Sequence, residues 1–423
     1  MLLAFEGLLR PVALIDCDEL ADGFAAVLRG WPFALVDPAP DSPPVITLRR
    51  TAQGYRHESE WQETPPVFPD PVDAVCNFLV DLLRAYVADD RTLLCLHSAA
   101  AEFAGRLVVF PSDYRAGKST LSAYLAAAGV RLYADDVLPI KEDDNRGVAP
   151  GILPRLRLPL PPEAAADFRD YVSRHKGIAN ERALYLDLDA DALAQHGEQA
   201  PIGGFVLLDR EAGAPAELKP LGKSEMLKRV ILRNFAREVE PVDILERLHA
   251  LVDAGPSYVL RYGGGAEAAA LLKETFRVWR SPLRGVSVPR RAKAGSDVSG
   301  DAASPTPGGR IRRRPDIVER RVEDELFLVN PEGEAIFHLN VLGAALWRLL
   351  AEPTLPEEVA ALVHQAFPEV PAPSIERDVG AVLADFAARG LVVGSPAETL
   401  PDAGKPRPTR RKTSRGRSRR SRG

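Results

Sequence analysis

The residues that could do chemistry begin with a loop, PSDYRAGKST at 111–120, which ends as a phosphate-binding loop ends. Gly117, Lys118 and Ser119 match the close of the pattern G-x-x-x-x-G-K-[ST], but Ser112 stands where the first glycine is expected. In such loops, main-chain amides and the start of the following helix surround phosphate oxygens, the lysine bridges phosphates and the hydroxyl reaches Mg²⁺. If Ser112 must adopt a positive φ, the strain costs about 1–2 kcal/mol, which weakens nucleotide binding without excluding it. The predicted nucleotide-binding residues are Asp113, Tyr114, Arg115, Ala116, Gly117, Lys118, Ser119 and Thr120, with ATP and Mg²⁺ as cofactors.

Two acids and a histidine occupy predicted strand ends on either side of this loop. Asp135 and Asp136 end the strand after the loop's helix, where proteins with such loops present an acid to the metal or to the nucleophile. Because neighbouring side chains on a strand point to opposite faces, one acid could hold Mg²⁺ while the other accepts a proton from an attacking hydroxyl. His97 could orient one of them. Other interpretations stay open: a solvated turn for the acids, a buried structural histidine and an ordinary helix start at the loop.

The elements around these residues predict an α/β domain. The apolar run LVVF leads into the loop, and the helical run STLSAYLAAA follows it until Gly129 ends the helix. LLCLHSAA and RLYADDVLPI are predicted as strands that carry His97 and the two acids. Upstream, PVALID, PVITLRR and YRHES predict an antiparallel lead-in, and DPVDAVCNFLVDLLRAYVAD predicts an amphipathic helix.

This arrangement resembles the C-terminal domain of the HPr kinase/phosphatase family, whose hallmarks are an upstream histidine, a Walker A loop and ADD-x-V. His97-Ser98-Ala99, the loop about a dozen residues later and AGKSTLSAYLAAAGVRLYADDVLPI carry the resemblance, which extends loosely over 1–285. It implies an ATP- and Mg²⁺-dependent kinase with catalytic residues Asp135, His97 and Lys118 and metal ligands Ser119 and Asp136. In that assignment Asp135 is the base toward a protein serine, with His97 beside it and Asp136 near the metal.

The chain also departs from that family. Ser112 and Arg115 replace loop glycines, and the signature that follows the kinase core of true HPr kinases has no clear counterpart. These differences argue against phosphorolysis and against HPr as the substrate. In GILPRLRLPLP, the resemblance implies that Arg155 or Arg157 meets phosphate.

The C-terminal region has a different pattern, three predicted strands in 316–339 followed by three amphipathic helices. We expect Asn340 to cap the first helix, Thr354 and Glu357 to form a capping box at the second, and Gly390 to end the third. FHLNVLGAALWRLLAEPTLPEEVAALVHQAF and IERDVGAVLADFAARGLVV resemble the PqqD family of peptide-binding chaperones, also called RiPP recognition elements, over about 311–394. The resemblance implies a small α+β, winged-helix-like domain whose third strand pairs with an extended leader peptide by main-chain hydrogen bonds. The predicted peptide-binding residues are Glu334, Ala335, Ile336, Phe337, His338 and Leu339, although core packing is the preferred interpretation for Phe337 and for Trp347.

Composition sets the domain boundaries and the class of partner. The predicted division is a nucleotide-binding domain at 1–285, a Pro-, Gly- and Ser-rich flexible linker at 286–310, the PqqD-like domain at 311–394 and a disordered tail at 395–423. The tail has ten basic residues and no acid between 405 and 422, whereas the whole chain has a formal net charge of -5. Three cysteines without a C-x-x-C pair, and no long apolar run, predict a cytoplasmic protein without a membrane partner.

These predictions combine into one hypothesis and one alternative. The first is an ATP-dependent serine/threonine kinase of a ribosomally synthesised precursor peptide, whose leader is captured by the PqqD-like domain. The alternative is a chaperone without catalytic activity that delivers the peptide to other peptide-modifying enzymes, which would then be its partners. Nucleic acid is expected to bind only non-specifically through the basic tail, because the second helix carries Glu357 and Glu358 where a DNA-recognition helix would carry basic residues.

Overall fold

The computed structural model describes residues 1–38, 42–113, 116–142, 146–236, 239–279, 309–330, 332 and 335–394. Packing divides the chain into two units, Met1–Ser296 with Asp316–Ala344 and Asp297–Pro315 with Ala345–Gly423. The predicted tail lies outside the described residues, as do the predicted linker up to residue 308 and the site candidates Tyr114, Arg115 and Glu334. The predicted domain boundaries therefore stay predictions, whereas the predicted mixed α/β fold is confirmed.

The N-terminal region forms a six-stranded sheet with two helices. Its elements are β1 (Leu2–Phe5), β2 (Val12–Ile15), α1 (Leu20–Val27), β3 (Phe33–Leu35), β4 (Ile46–Thr51), β5 (Gly54–Ser59), β6 (Val67–Phe68) and α2 (Pro71–Asp89). The strand order is β3-β1-β2-β4-β5-β6, and β2 runs parallel to β4 while the other neighbours are antiparallel, so the lead-in is mixed and not purely antiparallel. The Asp70 carboxylate caps α2 by accepting from the amides of Val72 and Asp73.

The central region carries the loop. Its elements are β7 (Leu94–Leu96), β8 (Ala99–Phe103), β9 (Arg106–Phe110), α3 (Lys118–Ala127), β10 (Leu132–Ala134), β11 (Leu138–Ile140), β12 (Arg146–Val148), β13 (Arg155–Arg157), α4 (Ala166–Arg174), β14 (Lys176–Ala179), β15 (Ala183–Leu186), β16 (Gln199–Arg210), β17 (Glu217–Pro220), α5 (Lys223–Arg233), α6 (Pro241–Ala254), β18 (Ser257–Tyr262) and α7 (Gly265–Thr275). The main sheet has the order β10-β8-β9-β16-β12-β11-β7, with β18 beside β16 and β17 beside β18. β13, β15 and β14 form a separate sheet.

Helices cover both faces of the main sheet. Alternate side chains of β9 therefore pack in two different hydrophobic cores. Val108 and Phe110 belong to the core that contains the apolar residues of α3 and α7. Leu107 and Val109 belong to the core that contains those of α5 and α6. A strand covered on both faces reads as a continuous apolar run, which explains the RLVVF pattern before the loop.

Two predicted strands are each broken where the chemistry-bearing residues lie. LLCLHSAA separates into β7 and β8 at His97 and Ser98, and RLYADDVLPI separates into β10 and β11 at 135–137. β8 pairs with β10 and β7 pairs with β11, both antiparallel. The two breaks therefore lie opposite each other, between the β8–β10 and β7–β11 pairings, and this brings His97 beside Asp136.

A three-stranded antiparallel sheet after residue 315 belongs to the first unit. Its strands are β20 (Val318–Val322), β21 (Glu325–Val329) and β22 (Ile336–Leu339), in the order β20-β21-β22. The preceding strand, β19 (Ile311–Arg313), is not part of this sheet. Phe327 and Val329 share a hydrophobic core with Leu245 and Leu248 of α6. The outer edge of β22 pairs with no strand among the described residues.

The second unit contains most of the C-terminal helices. Its elements are β19, α8 (Val341–Leu349, whose first turn belongs to the other unit), α9 (Pro356–Ala366), α10 (Ala372–Ala388) and β23 (Val392–Gly394), which pairs with β19. Asn340 caps α8 as predicted, since its side-chain oxygen accepts from the Gly343 amide at 2.9 Å. The predicted capping box at the second helix is wrong by one residue, because Glu358 and not Glu357 accepts from the Leu355 amide. Among the residues that the structure covers, no helix combines the length and the apolarity needed to cross a membrane.

Candidate functional site

The loop reaches α3 through Gly117, which is the glycine that the geometry requires. Gly117 has a φ of +96°, and a Cβ there would lie 3.0 Å from the hydroxyl oxygen of Tyr262. Any other residue would therefore be strained both in its backbone and by this contact. The amides of Lys118, Ser119 and Thr120 open α3, and the first amides of a helix have no intrahelical partner. They are available to an anion.

Ser112 is not strained, and the expected cost of a missing glycine there is wrong. The non-glycine residues with positive φ among the described residues are Asp16, Ala104 and Glu323. Ser112 is 3% exposed, and its hydroxyl oxygen accepts from the Leu208 amide at 2.9 Å. β16 runs parallel to β9, so this hydroxyl supplies β16 with an acceptor beyond the end of the β9 ladder. Ser112 thus ties the start of the loop to the sheet.

Lys118 lies folded back into the loop. It is 8% exposed, and its Nζ donates to the carbonyl oxygens of Ser112 at 3.0 Å and Asp113 at 3.3 Å. Burial lowers the pKa of the Lys118 ammonium, while the carboxylates of Asp136 and Asp135 act in the opposite direction. The lysine is therefore held beside both acids by carbonyl groups that a phosphate could replace.

Asp135 is partly buried on the wall of the site. Its Oδ2 accepts from the Arg155 amide at 3.1 Å, and its Oδ1 is shut off from solvent without a hydrogen-bond partner among the described residues. Burial, and next the Asp136 carboxylate, raise the pKa of Asp135 to about 6, although the Arg155 amide and the Ser119 hydroxyl lower it. A carboxylate near a serine hydroxyl, with one oxygen shut off from solvent, fits a Mg²⁺ ligand set, because Mg²⁺ takes one or two protein carboxylates and completes its shell with phosphate and water.

His97 contacts Asp136 and not Asp135. His97 Nε2 lies 3.4 Å from Asp136 Oδ1, and Asp136 is 57% exposed. Burial lowers the pKa of His97 against the opposing charge of Asp136, and Lys118 and Arg233 lower it further. The resemblance implies that His97 lies beside Asp135, whereas the structure places it beside Asp136, the more exposed of the two acids.

Asp113, a predicted nucleotide ligand, uses its side chain elsewhere. Its carboxylate pairs with the guanidinium of Arg233 and lies 3.5 Å from that of Arg229, both on α5. The Arg233 carbonyl oxygen also accepts from the His97 amide at 2.8 Å. The sequence does not predict a role for these two arginines, because their helix lies over 100 residues after the loop and carries no motif.

A cleft of about 930 Å³ joins these groups. Its walls include Gly117, Lys118, Ser119, Thr120, Asp135, Asp136, His97, Arg155, Arg157 and Arg210, and an apolar wall from α2. The size suits a nucleotide with room for a second group. Asp113 and Ala116 are not among the lining residues, so the predicted loop set is only partly gathered there. Arg155 and Arg157 do reach the cleft, and Arg210, which pairs with Glu163, was not predicted.

The predicted peptide-binding strand is shorter than expected. β22 covers Ile336, Phe337, His338 and Leu339, whereas Ala335 precedes it and Glu334 lies outside the described residues. His338 Nε2 lies 2.9 Å from a carboxylate oxygen of Glu325 on the neighbouring strand. Phe337 is only partly buried. Trp347 is fully buried with its ring 5.7 Å from that of Phe386, so its core role is confirmed.

The fold and the cleft define an α/β protein with a loop and helix start open to a cleft that holds a lysine, a histidine and two carboxylates. Residues 325–392 match the family described as Coenzyme PQQ synthesis protein D (PqqD), so the chain carries a PqqD domain, as predicted. A comparison with curated proteins gives no match.

Two solved structures are among those that match parts of this chain. TbiB1, described in complex with the TbiA(beta) leader peptide, is 27% identical over 22% of this chain and 99% of its own, with a TM-score of 0.18. The Hpr(Ser) kinase/phosphatase from Coxiella burnetii is 14% identical over 43% of this chain and 93% of its own, with a TM-score of 0.23.

Proposed function

We propose that this protein is an ATP-dependent kinase that phosphorylates a serine or threonine of a ribosomally made precursor peptide whose leader docks on β22. One observation supports the proposal most directly. A single cleft gathers the buried Lys118, the Asp135 carboxylate and the pair of His97 with Asp136. Among the described residues, Oδ1 of Asp135 is buried without a hydrogen-bond partner. The same chain carries a PqqD domain.

The nucleotide triphosphate would bind at the start of α3. The amides of Lys118, Ser119 and Thr120 and the positive end of the helix dipole favour phosphate there. The Lys118 ammonium would exchange its two loop carbonyl partners for phosphate oxygens. Asp135 Oδ1 and the Ser119 hydroxyl would hold Mg²⁺, which neutralises charge on the transferred group.

Asp136 would accept the proton of the substrate hydroxyl. The hydroxyl oxygen forms a bond to the γ-phosphorus while the bond from that phosphorus to the β–γ bridging oxygen breaks, ADP leaves, and the proton goes to the Asp136 carboxylate. His97, 3.4 Å away, orients that carboxylate. Phosphoryl transfer of this kind needs positioning and charge stabilisation more than covalent help from the protein.

The PqqD domain would supply the substrate. A leader that adds to the open edge of β22 gains main-chain hydrogen bonds, and pockets for alternate side chains select its sequence. Holding the leader keeps the acceptor residue near the cleft at an effective concentration in the mM range. Peptide capture thus raises turnover without changing the chemistry at Asp136.

Transfer of labelled γ-phosphate tests the proposal. The full chain is incubated with Mg²⁺, ATP and serine- or threonine-bearing peptides encoded beside its gene, and Lys118→Ala is compared with Lys219→Ala, an exposed lysine on β17. We expect Lys118→Ala to lower the rate by about 100-fold and Lys219→Ala to leave it unchanged. If the parent protein binds the peptides but transfers no phosphate, the chaperone hypothesis replaces the kinase.

A further inference from the structure

Helix α5 is held at its first turn by the sheet that contains the predicted peptide-binding strand. The Glu323 carboxylate accepts from the amides of Lys223 at 2.9 Å and Ser224 at 3.2 Å, and so caps a helix whose own cap residue offers no side chain. The Glu325 carboxylate accepts from the Ser224 hydroxyl and lies 3.4 Å from the Lys228 ammonium. Both acids lie in or beside the turn between β20 and β21.

The Glu325 carboxylate also faces β22, the strand that would bind the leader. Glu325 also contacts His338 of β22 at 2.9 Å, so one side chain is shared between β22 and α5. The sheet is fixed against the neighbouring helix as well, since Arg320 pairs with Glu246 of α6 and Phe327 packs in the core of that helix. A displacement of β22 therefore changes the partners of Glu325.

The other end of α5 holds the phosphate loop and the histidine. Arg233 and Arg229 both pair with the Asp113 carboxylate, and the Arg233 carbonyl accepts from the His97 amide. Lys118 in turn donates to the Asp113 carbonyl. α5 has 11 residues and spans about 16 Å, and its backbone hydrogen bonds link each turn to the next, so a displacement of one end can be transmitted to the other.

We propose that α5 couples occupancy of β22 to occupancy of the loop, with Glu325 and Arg233 as positioning residues at its two ends. The inference rests on the proposed function, because it takes nucleotide at the loop and peptide at β22. By linkage, nucleotide changes the affinity of β22 for peptide by the same factor by which peptide changes nucleotide affinity. Bound leader would then make the cleft competent for transfer, and an empty β22 would slow idle ATP hydrolysis.

Hydrogen exchange with Mg²⁺ and ATP as the probe tests this coupling without knowledge of the peptide. In the full chain, saturating nucleotide should slow exchange at 116–121 and change exchange at 336–339 by about 5-fold, the lower end of common coupling factors. Glu325→Gln and Arg233→Lys, at opposite ends of α5, should keep the response at 116–121 and lose most of the response at 336–339. Asp324→Asn, an 80% exposed acid in the same turn, should behave as the parent.

The outcomes separate the coupling from the function on which it rests. If the loop responds and β22 does not in the parent protein, the coupling is refuted and the nucleotide site stands. If neither responds, the nucleotide site fails and the coupling falls with it. If both variants respond as the parent does, α5 is not the route. Comparing exchange with and without nucleotide within each variant removes any purely structural effect of the substitution.

Discussion

Replacing Asp135 by asparagine should stabilise the folded protein at alkaline pH, and the gain should fade in acid. Burial, and next the Asp136 carboxylate, raise the pKa of Asp135 from 3.8 to about 6. A raised pKa means that the folded chain binds this proton more tightly than the unfolded chain does. The stability that comes from the group is therefore complete below pH 3.8 and is lost as the pH rises through 6. Asparagine keeps the shape, and its oxygen can still accept from the Arg155 amide.

The size of the effect follows from the shift. Two pH units correspond to about 3 kcal/mol of unfolding free energy at pH 8, and the same relation leaves about 0.5 kcal/mol at pH 4. Urea unfolding of the parent and of Asp135→Asn at both pH values, with EDTA present, measures the difference. Asp189→Asn, at an 82% exposed position, is the matched control and should change little. A gain of equal size at both pH values, or a loss at pH 8, would refute the assignment of a raised pKa.

Three further predictions concern the loop, helix α2 and the second unit. Ser112→Gly restores the glycine of the loop pattern but removes the acceptor of the Leu208 amide, so it should lower stability by about 1–2 kcal/mol in urea unfolding. Calorimetry should show no gain in affinity for Mg²⁺ and ATP. Burial alone would raise the pKa of Asp81, but hydrogen-bond donors from His57, Ser59 and Gln62 lower it to about 2, so the charged form stabilises the fold. Asp81→Asn should therefore cost about 2 kcal/mol of unfolding free energy at pH 7. An acid unfolding series should show this cost shrinking as the pH falls from 3.8 toward 2. Trp347→Ala should cost about 3–5 kcal/mol and abolish peptide binding in a polarisation assay while nucleotide binding persists.

The local pattern of the sequence predicted the elements that hold the site. The apolar run before the loop, the helix after it and Gly117 at the junction depend on residues within a few positions of each other, and the structure contains all three. The strands and helices of the PqqD domain likewise follow from periodicity and caps. Local rules were sufficient wherever the partner of a residue lay within its own element or the next one.

Partners distant in sequence explain what was missed. Ser112 looked costly because its acceptor role depends on Leu208, 96 residues later. Which of the two acids lies beside His97 depends on the pairing of β7 with β11 and of β8 with β10, and this pairing places Asp136 there. The arginines of α5 carry no motif, and they gain a role only through the fold that places Arg233 beside Asp113 and His97.

The loop also indicates why a pattern match can understate a site. A glycine is required where φ is positive or where a Cβ has no room, and in this loop Gly117 satisfies both conditions. At Ser112 neither condition is decisive, because its φ is not positive and its hydroxyl gains a hydrogen bond that glycine could not make. The exchange therefore replaces backbone freedom by attachment to β16, and it leaves the amides at the start of α3, the proposed phosphate site, unchanged. The departure from the motif therefore changes how the start of the loop is attached to the sheet.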